Sequence, residues 1–276
     1  MGRQHHPKAL ENGLNIPRNA LQSWGEIARA IGRSKQVALF TDFDGTLARI
    51  RKNPRNVWLS SRARMLLAEL ARRAQPVGVV SGRGLADIRN RVRVPGLWYV
   101  GCHGLILRDP GNKTLVLATL KERENIRGLA RDLAQSLRKI PGVYLESKGA
   151  SFALHYRGAS VAAVRAAWKA LQGQLAGQRE VRLLCGKKVW EILPNTRTDK
   201  WTAVSFILRR ETRERPGAPP LMIYLGDDST DELVFRKMKG GISIVVGATK
   251  RTAARYSVPS PGGAFRVLQR LKEELE

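Results

Sequence analysis

The sequence predicts an α/β protein in which helices flank a parallel β-sheet and a smaller α+β domain is inserted into the chain. Two observations favour the parallel sheet. Apolar runs of strand length alternate with helical periodicity in the first and last parts of the chain, and two of these runs end in clusters of acidic residues. A third observation favours the insertion. The middle of the chain follows the order α-β-β-α-β-β with tight connections, which suits a small antiparallel sheet covered by two helices.

The unusual property of the composition is its charge. The chain has 276 residues, with 49 Lys and Arg against 23 Asp and Glu, which gives a net charge of +26. So large a charge attracts anions and favours non-specific, salt-sensitive contact with polyanions. A basic proteome or a need for solubility accounts for the charge equally well, because it is spread along the chain and forms no polybasic tail.

Several features of the sequence favour a cytoplasmic protein. No apolar stretch approaches the roughly 18 residues that a membrane span requires. Residues 1–7 have no apolar core of the kind found in a secretory signal. The two cysteines, Cys102 and Cys185, are too few for a disulfide framework. We therefore expect a soluble, cytoplasmic chain with no membrane partner, and we expect it to be a monomer.

The chain begins with an N-terminal extension at 1–34, whose first 20 residues are polar and rich in turns, which predicts loose order there. Apolar residues recur at helical spacing over 20–31, so a short helix is expected at that point. The first part of the sheet domain follows at 35–110. Its predicted strands are 37–41, 77–80 and 98–100, and its predicted helices are 60–73 and 85–92.

The inserted domain is expected at 111–195, directly after a strong turn signal at 110–112. Its predicted elements are a helix over about 121–139, strands 143–146 and 151–156, a helix over 161–175, and strands 181–184 and 188–193. The sheet domain then resumes at 196–276. Its predicted elements are a helix over 201–209, a loop at 213–220, a strand ending at 226, a helix over 230–239 and a strand over 242–246.

Two acidic clusters follow predicted strands of the sheet domain. Asp42 and Asp44 alternate at the end of the first strand and so share one face, with Gly45 allowing a sharp turn behind them. Asp227 and Asp228 follow a second strand far along the chain. Parallel strands open to their ligand crevice at this edge. Because crowded carboxylates are costly, two converging clusters imply a bound cation.

Each acidic cluster also has a simpler alternative. A calcium-binding loop fails on spacing, because Leu47 and Glu232 stand where such a loop, counted from Asp42 or Asp227, requires glycine. Turn or helix-cap chemistry at a strand–loop junction accounts for either cluster alone, but less readily for both together.

Further polar residues are expected near the same edge of the sheet. Ser81, Gly82 and Arg83 end another buried strand and offer a hydroxyl and backbone amides. They form no dinucleotide fingerprint, because Asp87 stands where the third glycine belongs, and the chain has no phosphate-cradling loop of the nucleotide-triphosphatase type. Lys200 begins a helix after the insertion, where a solvated lysine is the ordinary interpretation. Together these groups suit phosphoryl transfer, which needs positioning and neutralised oxygens.

The ordered set Asp-Phe-Asp-Gly-Thr (42–46), Ser-Gly-Arg (81–83), Lys200 and Gly-Asp-Asp-Ser-Thr-Asp-Glu (226–232) resembles the haloacid dehalogenase (HAD) superfamily of phosphatases. The insertion resembles the type-two cap of that superfamily. Within it, residues 35–270 are similar to trehalose-6-phosphate phosphatases. The more specific matches are Gly-Cys-His-Gly (101–104), Glu-Ser-Lys-Gly (146–149), His-Tyr-Arg (155–157) and Lys-Val-Trp-Glu (188–191).

The resemblance implies the Mg²⁺-dependent hydrolysis of trehalose 6-phosphate, a small-molecule substrate, to trehalose and phosphate. Asp42 is then the nucleophile that attacks phosphorus and forms an aspartyl-phosphate. Asp44 protonates the departing sugar oxygen and afterwards activates the water that resolves the intermediate.

The resemblance also implies which residues bind. Mg²⁺ is expected at the Asp42 carboxylate, the Asp44 backbone carbonyl and Asp227, with Asp228 and Asp231 ligating or orienting from behind. The residues expected at the phosphoryl oxygens are Thr46, Ser81, Gly82, Arg83 and Lys200. The residues expected to bind sugar hydroxyls on the cap are Glu146, Lys148 and Glu191.

Other interpretations stay open. Phosphatases for sucrose phosphate and mannosylglycerate phosphate share the scaffold and differ in the cap, and Trp201 stands where the family usually has glycine. This ring either reshapes the wall near the phosphate or packs outward. His155 and Arg157 also suit a structural role, and His103 suits a turn as well as substrate contact. The alternative from another class is a non-catalytic polyanion-binding protein, although every expected carboxylate is present.

Overall fold

The computed structural model describes residues 16–51, 53–214, 217–247 and 251–276. The helices in these ranges are α1 (Trp24–Gly32), α2 (Ser61–Arg73), α3 (Leu85–Val92), α4 (Leu120–Leu137), α5 (Val161–Leu175), α6 (Lys200–Glu214), α7 (Ser229–Lys237) and α8 (Pro261–Glu274). The strands are β1 (Arg18–Asn19), β2 (Val37–Asp42), β3 (Val77–Val80), β4 (Trp98–Gly101), β5 (Ile106–Arg108), β6 (Thr114–Val116), β7 (Tyr144–Ser147), β8 (Phe152–His155), β9 (Val181–Gly186), β10 (Val189–Pro194), β11 (Leu221–Gly226), β12 (Ile242–Val246) and β13 (Tyr256–Val258). Two 3₁₀ turns are Pro54–Asn56 and Cys102–Gly104.

The chain forms two compact units, which we call unit 1 and unit 2. Unit 1 contains the described residues of Met1–Val79, Arg91–Leu97 and Ile207–Glu276, and unit 2 contains Val80–Asn90 and Trp98–Phe206. The limits of the inserted domain, expected at 111 and 195, stay a prediction.

Unit 1 is built on a parallel sheet with the strand order β1-β13-β12-β11-β2-β3. The pairs from β1 to β2 in this order are all parallel. All residues of β2 and β12 are buried, as expected for strands that have helices on both faces. The register places Leu225 beside Thr41, so β2 and β11 end at the same edge. The predicted fold class, a parallel sheet flanked by helices, is confirmed.

The helices of unit 1 follow local sequence signals. Ser60 caps α2 by accepting a hydrogen bond from the backbone N–H of Ala63, and the leucines on one face of this helix are buried. Helix α8, which begins at Pro261, was not predicted. Proline is well suited to the first turn of a helix, and the buried residues Ala264, Val267, Leu268 and Leu271 then recur at helical spacing.

The expectation of loose order before residue 20 is wrong for its described part, while residues 1–15 lie outside the described residues. Strand β1 pairs with β13, and Ala20 is fully buried. The Asn19 side chain accepts hydrogen bonds from the backbone N–H groups of Leu21 and Gln22, so the helix begins later than expected, at Trp24. The loop predicted from residue 213 is also shorter, because α6 continues to Glu214.

Unit 2 contains two antiparallel arrangements of strands. Strands β4, β5 and β6 pair in order, with a turn at Asn112, which adopts a left-handed φ of 69°. Strands β5 and β6 were not predicted, because three-residue strands carry too little pattern to be seen. The second sheet has the order β7-β8-β10-β9 and antiparallel pairs throughout. The predicted element order α-β-β-α-β-β is present as α4-β7-β8-α5-β9-β10.

The second sheet of unit 2 has two different faces. Helices α4 and α5 cover one face, and the residues of this core include Leu129, Leu133, Phe152, Leu154, Leu171 and Trp190. Side chains alternate along a strand, so the residues between these core positions belong to the opposite face. The register sets Glu146 and Glu191 on either side of Ala153, and Tyr144 beside His155. We call this the polar face.

No helix in the described ranges is both long enough and apolar enough to cross a membrane.

Candidate active site

Three carboxylates meet at the edge of the unit 1 sheet where β2 and β11 end. Asp42 is the last residue of β2, Asp227 follows β11, and Asp231 lies in the first turn of α7. Each offers an oxygen atom within 4.8 Å of the oxygens of the other two. The structure therefore brings together the two acidic clusters that the sequence places far apart in the chain.

The turn after β2 is shaped by Gly45. Its φ is +85°, a conformation that favours glycine, and a Cβ atom there would lie 2.0 Å from Oδ2 of Asp227. The neighbouring Phe43 is fully buried and anchors the turn in the core. Asp44 is half-buried in the same turn, which is closed by a 2.7 Å hydrogen bond from the Gly45 N–H to the carbonyl of Ala48. Position 45 thus requires glycine for two reasons, the positive φ of its backbone and the close approach of the Asp227 carboxylate.

Thr46 has a supporting contact in this group. It is fully buried, and its hydroxyl donates to Oδ1 of Asp227 at 3.3 Å. This contact fixes the orientation of the Asp227 carboxylate. The expected contact of Thr46 with a phosphoryl oxygen stays a prediction.

Asp231 is held by several hydrogen bonds. It is fully buried, and its Oδ1 accepts a hydrogen bond from the Tyr224 hydroxyl at 2.7 Å. Its Oδ2 accepts from the backbone N–H groups of Asp227 and Asp228 at 3.0 and 3.2 Å. A Cβ atom on Gly226 would lie 2.3 Å from Cγ of Asp231, so glycine is needed for this approach. Asp231 thereby fixes the loop that carries Asp227.

The other acids of the second cluster make structural contacts. Asp228 is the N-cap of α7, and its Oδ1 accepts from the backbone N–H groups of Thr230 and Asp231 at 2.8 and 3.1 Å. Glu232 accepts hydrogen bonds from the Thr252 hydroxyl and from the backbone N–H of Ala253. The three-carboxylate group contains Asp231, which was expected to ligate the metal or to orient its ligands from behind, and it does not include Asp228.

In unit 2, the segment Ser81, Gly82 and Arg83 forms a tight loop. The Ser81 hydroxyl accepts from the Arg83 N–H at 3.1 Å, and Ser81 is almost fully buried. The Arg83 guanidinium donates to Asp87 at 2.9 Å, an ion pair within one helical turn. A Cβ atom on Gly82 would lie 2.4 Å from the His103 ring. Glycine at 82 therefore leaves room for the ring of His103, for which the sequence suited both a turn and a substrate contact.

Lys200 is not the solvated lysine of the ordinary interpretation. It starts α6 and is 1% exposed, among the largest fully buried side chains of the protein. A buried ammonium is stable only with polar partners, so a lysine in this state is more often functional than a surface lysine. The preceding Asp199 caps the helix by accepting from the Thr202 N–H at 2.7 Å. Gly104 fits directly against the carbonyl of Asp199.

The predicted cap residues Lys148 and Glu191 form one network with His103. Lys148 Nζ donates to Oε1 of Glu191 at 2.9 Å and to the carbonyl of Gly82 at 3.0 Å. His103 Nε2 lies 2.8 Å from the other Glu191 oxygen, Oε2. Burial raises the pKa of Glu191, but the hydrogen bond and charge of His103, together with Lys148, outweigh it and lower that pKa to about 2. Glu191 is therefore a carboxylate at any physiological pH.

Glu146, the third predicted cap residue, pairs with His155. His155 Nε2 lies 2.7 Å from Oε2 of Glu146, and this hydrogen bond lowers the pKa of Glu146 despite partial burial. The ring of Tyr144 stacks on His155. The strand register, and not the sequence motif alone, reveals this pairing.

The predicted site residues thus form two groups, one in each unit. Unit 1 joins Asp42, Thr46 and Asp227 and places Asp44 in the adjacent turn. Unit 2 links Lys148 and Glu191 to the 81–83 loop through the Gly82 carbonyl. Asp231 was expected to ligate or orient from behind the metal, and the role of His103 was left open between a turn and a substrate contact. A capping-box position pointed to Asp231, but no local signal shows that His103 reaches Glu191.

The donor set of unit 1 fits Mg²⁺. This hard cation binds carboxylate oxygens at about 2.0–2.1 Å in octahedral geometry, so that opposite ligands lie about 4 Å apart. The spacing of the Asp42, Asp227 and Asp231 oxygens is close to this scale. Nitrogen or sulfur ligands, which softer metals prefer, are not part of the group.

The sequence matches a known protein family and curated relatives. The sequence model of the trehalose-phosphatase family matches residues 40–262. A trehalose-phosphate phosphatase of Mycobacterium tuberculosis is 36% identical to this chain over 267 residues, which cover 93% of this chain and 66% of the relative. The chain therefore spans just under two thirds of the length of the curated relative that it matches.

Solved structures show the same fold. The C-terminal domain of trehalose-6-phosphate phosphatase from Candida albicans matches with a TM-score of 0.74 at 22% identity, covering 94% of this chain and 99% of that domain. Trehalose-6-phosphate phosphatase from Aspergillus fumigatus matches with a TM-score of 0.61 at 25% identity, covering 94% of this chain and 99% of its own.

Proposed function

The chain belongs to the trehalose-phosphatase family, and from this premise we propose that it hydrolyses trehalose 6-phosphate to trehalose and inorganic phosphate. The proposed reaction depends on Mg²⁺ and passes through an aspartyl-phosphate. The substrate follows the names of the relatives. The mechanism follows the resemblance of residues 42–46 and 226–232 to HAD phosphatases, and the arrangement of carboxylates in unit 1 supports it.

The observation that carries the proposal is the convergence of Asp42, Asp227 and Asp231 at the ends of adjacent strands. Crowding three acids is costly for a protein interior unless a cation is to be bound. Gly45 and Gly226 are each placed where a Cβ atom would collide with one of these carboxylates. The local sequence is therefore adapted to hold the acids close together.

In the first proposed step, a carboxylate oxygen of Asp42 attacks phosphorus, and the bond between phosphorus and the sugar oxygen breaks. Asp44, in its protonated form, donates its proton to that sugar oxygen. In the second step, water attacks the phosphorus of the aspartyl-phosphate while Asp44 takes up its proton. Phosphate leaves, and the Asp42 carboxylate is restored. Asp42 is buried at the end of the strand, and the half-buried Asp44 is two residues later, which supports these roles.

Asp42 and Asp227 would hold Mg²⁺ together with the Asp44 backbone carbonyl, and Asp231 would ligate or orient them. Asp228 stays a predicted ligand, although its observed role is the cap of α7. When bound, the ion neutralises phosphoryl oxygens and makes phosphorus more electrophilic.

For the phosphoryl oxygens we propose the Ser81 hydroxyl, the Gly82 backbone and the Lys200 ammonium. Burial of Ser81 and Lys200 supports this, because donors shielded from water are more effective at stabilising charge. Arg83 is paired with Asp87, and its proposed part is to support the loop.

A substrate panel tests the proposal. Phosphate release is measured from trehalose 6-phosphate, sucrose 6-phosphate, mannosylglycerate phosphate and glucose 6-phosphate, each with excess Mg²⁺ and with EDTA. We expect kcat/KM for trehalose 6-phosphate to exceed the others by roughly tenfold or more. We also expect EDTA to abolish release and added Mg²⁺ to restore it.

Each outcome of the panel has a distinct meaning. Equal rates across the sugar phosphates would remove the trehalose assignment, and release that survives EDTA would remove the metal. Salt-sensitive binding of nucleic acid without any phosphate release would favour the polyanion-binding alternative. The cytoplasmic location and the monomeric state stay predictions.

A further inference from the structure

The polar face of unit 2 carries an aromatic pair that the proposed function does not use. The rings of Tyr144 and His155 are stacked, with centroids 4.5 Å apart and planes inclined by 10°. Tyr144 is 45% exposed, while the His155 side chain is only 17% exposed. An exposed aromatic ring on a rigid sheet is a common part of small-molecule sites.

The position of this ring is fixed by its neighbours. Tyr144 and His155 stand directly opposite each other in the antiparallel pair β7–β8. His155 is in turn held by its 2.7 Å contact with the Glu146 carboxylate. The ring of Tyr144 therefore rests on a side chain that is itself anchored, and little conformational entropy remains to be lost when a ligand packs on it.

The same strand connects Tyr144 to the loop at 81–83. Tyr144, Glu146 and Lys148 alternate along one face of the chain, because Lys148 continues the hairpin by donating its N–H to the carbonyl of Ser151 at 2.9 Å. At one end of this row, Lys148 Nζ contacts the Gly82 carbonyl at 3.0 Å. Tyr144 is four residues away, which is about 13 Å in an extended strand.

Lys148, Glu146 and Tyr144 therefore lie at increasing distance from the 81–83 loop, where the phosphate is expected. The charged network of Lys148 and Glu191 comes first, Glu146 comes next, and the aromatic pair is last. A phosphorylated monosaccharide with its phosphate at 81–83 would reach the charged network. A second sugar ring would be needed to reach Tyr144.

We propose that Tyr144 is a specificity-determining residue whose ring packs against the sugar that carries no phosphate, so that the protein selects disaccharide phosphates over monosaccharide phosphates. A pyranose ring has an apolar C–H face that packs well on the negative face of an aromatic ring. The carboxylate of Glu146 then lies near that sugar as a hydrogen-bond acceptor for hydroxyls. This inference rests on the proposed function and names the residue that distinguishes a substrate with two sugar rings from one with a single ring.

The test compares Tyr144→Ala and Tyr144→Phe with the wild-type protein on trehalose 6-phosphate and glucose 6-phosphate. Tyr144→Ala should lower kcat/KM for the disaccharide phosphate about tenfold relative to the monosaccharide phosphate, mainly through KM. Tyr144→Phe keeps the ring and should restore most of the selectivity. Val161→Ala, at a 71% exposed residue of α5, is the matched control and should leave the selectivity unchanged.

Binding is measured separately, by saturation-transfer NMR with trehalose alone. The wild-type protein should transfer magnetisation to the sugar, and Tyr144→Ala should lose most of the transfer. An equal fall in activity on both substrates, an unchanged ratio, or full transfer to trehalose in Tyr144→Ala would overturn the inference. Wild-type protein that binds trehalose through Tyr144 but releases no phosphate would refute the proposed function and leave only the contact between the Tyr144 ring and the sugar standing. No binding and no release would refute both.

Discussion

Asp231 of unit 1 and Glu191 of unit 2 accept hydrogen bonds from different kinds of donor. In unit 1, Asp231 accepts hydrogen bonds from the Tyr224 hydroxyl and from backbone N–H groups, all of them neutral donors. In unit 2, Glu191 is held by the ammonium of Lys148 and by the His103 ring. Neutral donors orient a carboxylate without cancelling its charge, whereas an ion pair balances it. The backbone donors to Asp231 thus orient the loop that carries Asp227, whereas the contacts of Glu191 include the charge of Lys148.

The largest effect is expected from the nucleophile of unit 1. Asp42→Asn should lower kcat for trehalose 6-phosphate by roughly 10³ or more, because the amide cannot form the covalent intermediate. Steady-state phosphate release measures the change. Asp132→Asn, which alters an exposed acid on α4, should have wild-type activity. Substantial turnover by Asp42→Asn would contradict the proposed mechanism and the catalytic role proposed for unit 1.

A smaller effect is expected from the glycine that admits Asp227. Gly45→Ala places a Cβ atom 2.0 Å from Oδ2 of Asp227 and also strains the backbone at φ +85°, so activity should fall roughly 10²-fold. Gly240→Ala is the matched control, since its φ is +74° and no atom lies within 4 Å of the added Cβ. The control should lose about 1 kcal/mol of stability and no activity. Equal activities of the two variants would show that crowding of the carboxylates is not important.

The smallest expected effect concerns stability and its pH dependence in unit 2. The pKa of Glu191 falls from its ordinary 4.5 to about 2, so the ion pairs stabilise the fold fully above about pH 4.5 and lose this effect as the pH falls towards 2. Glu191→Gln should therefore cost up to about 3 kcal/mol at neutral pH, and the difference from wild type should vanish near pH 2. Urea unfolding at several pH values measures it.

Glu146→Gln provides the comparison for that experiment. Its pKa is also lowered, by the hydrogen bond from His155, but its side chain is 39% exposed and solvent screens the pair. We expect a loss of less than about 1 kcal/mol. A Glu191→Gln penalty that does not change with pH would show that the network acts through packing and not through charge.

Much of the fold was readable from the sequence because its central strands are unambiguous. Strands β2, β3 and β12 are continuous apolar runs, and each was predicted within one residue of its observed limits. The short strands β5, β6 and β13 carry almost no pattern of their own, since they exist through their pairing partners. Helix α8 did carry a pattern, in Ala264, Val267, Leu268 and Leu271, and this signal was missed.

The acidic residues of the candidate site could be predicted because they are clustered in short stretches of the sequence. Asp42 and Asp227 stand out as charged residues after buried strands. The contact of His103 with Glu191 and that of His155 with Glu146 could not be read, because each depends on strand register or on a left-handed backbone at His103, with φ 55°. His103 and Glu191 are 88 residues apart in the sequence, and Glu146 and His155 meet only in the register that pairs β7 with β8.

The pairing of β2 with β11 also determines when the proposed metal site can form. Strand β2 is synthesised before unit 2, whereas β11 and Asp227 emerge only after the whole of unit 2. A nascent or truncated chain that ends before β11 has Asp42 without its partners. If the proposed site binds a divalent ion, its affinity should report completed folding, and the ion should slow unfolding of the finished protein more than it speeds the early stages of folding.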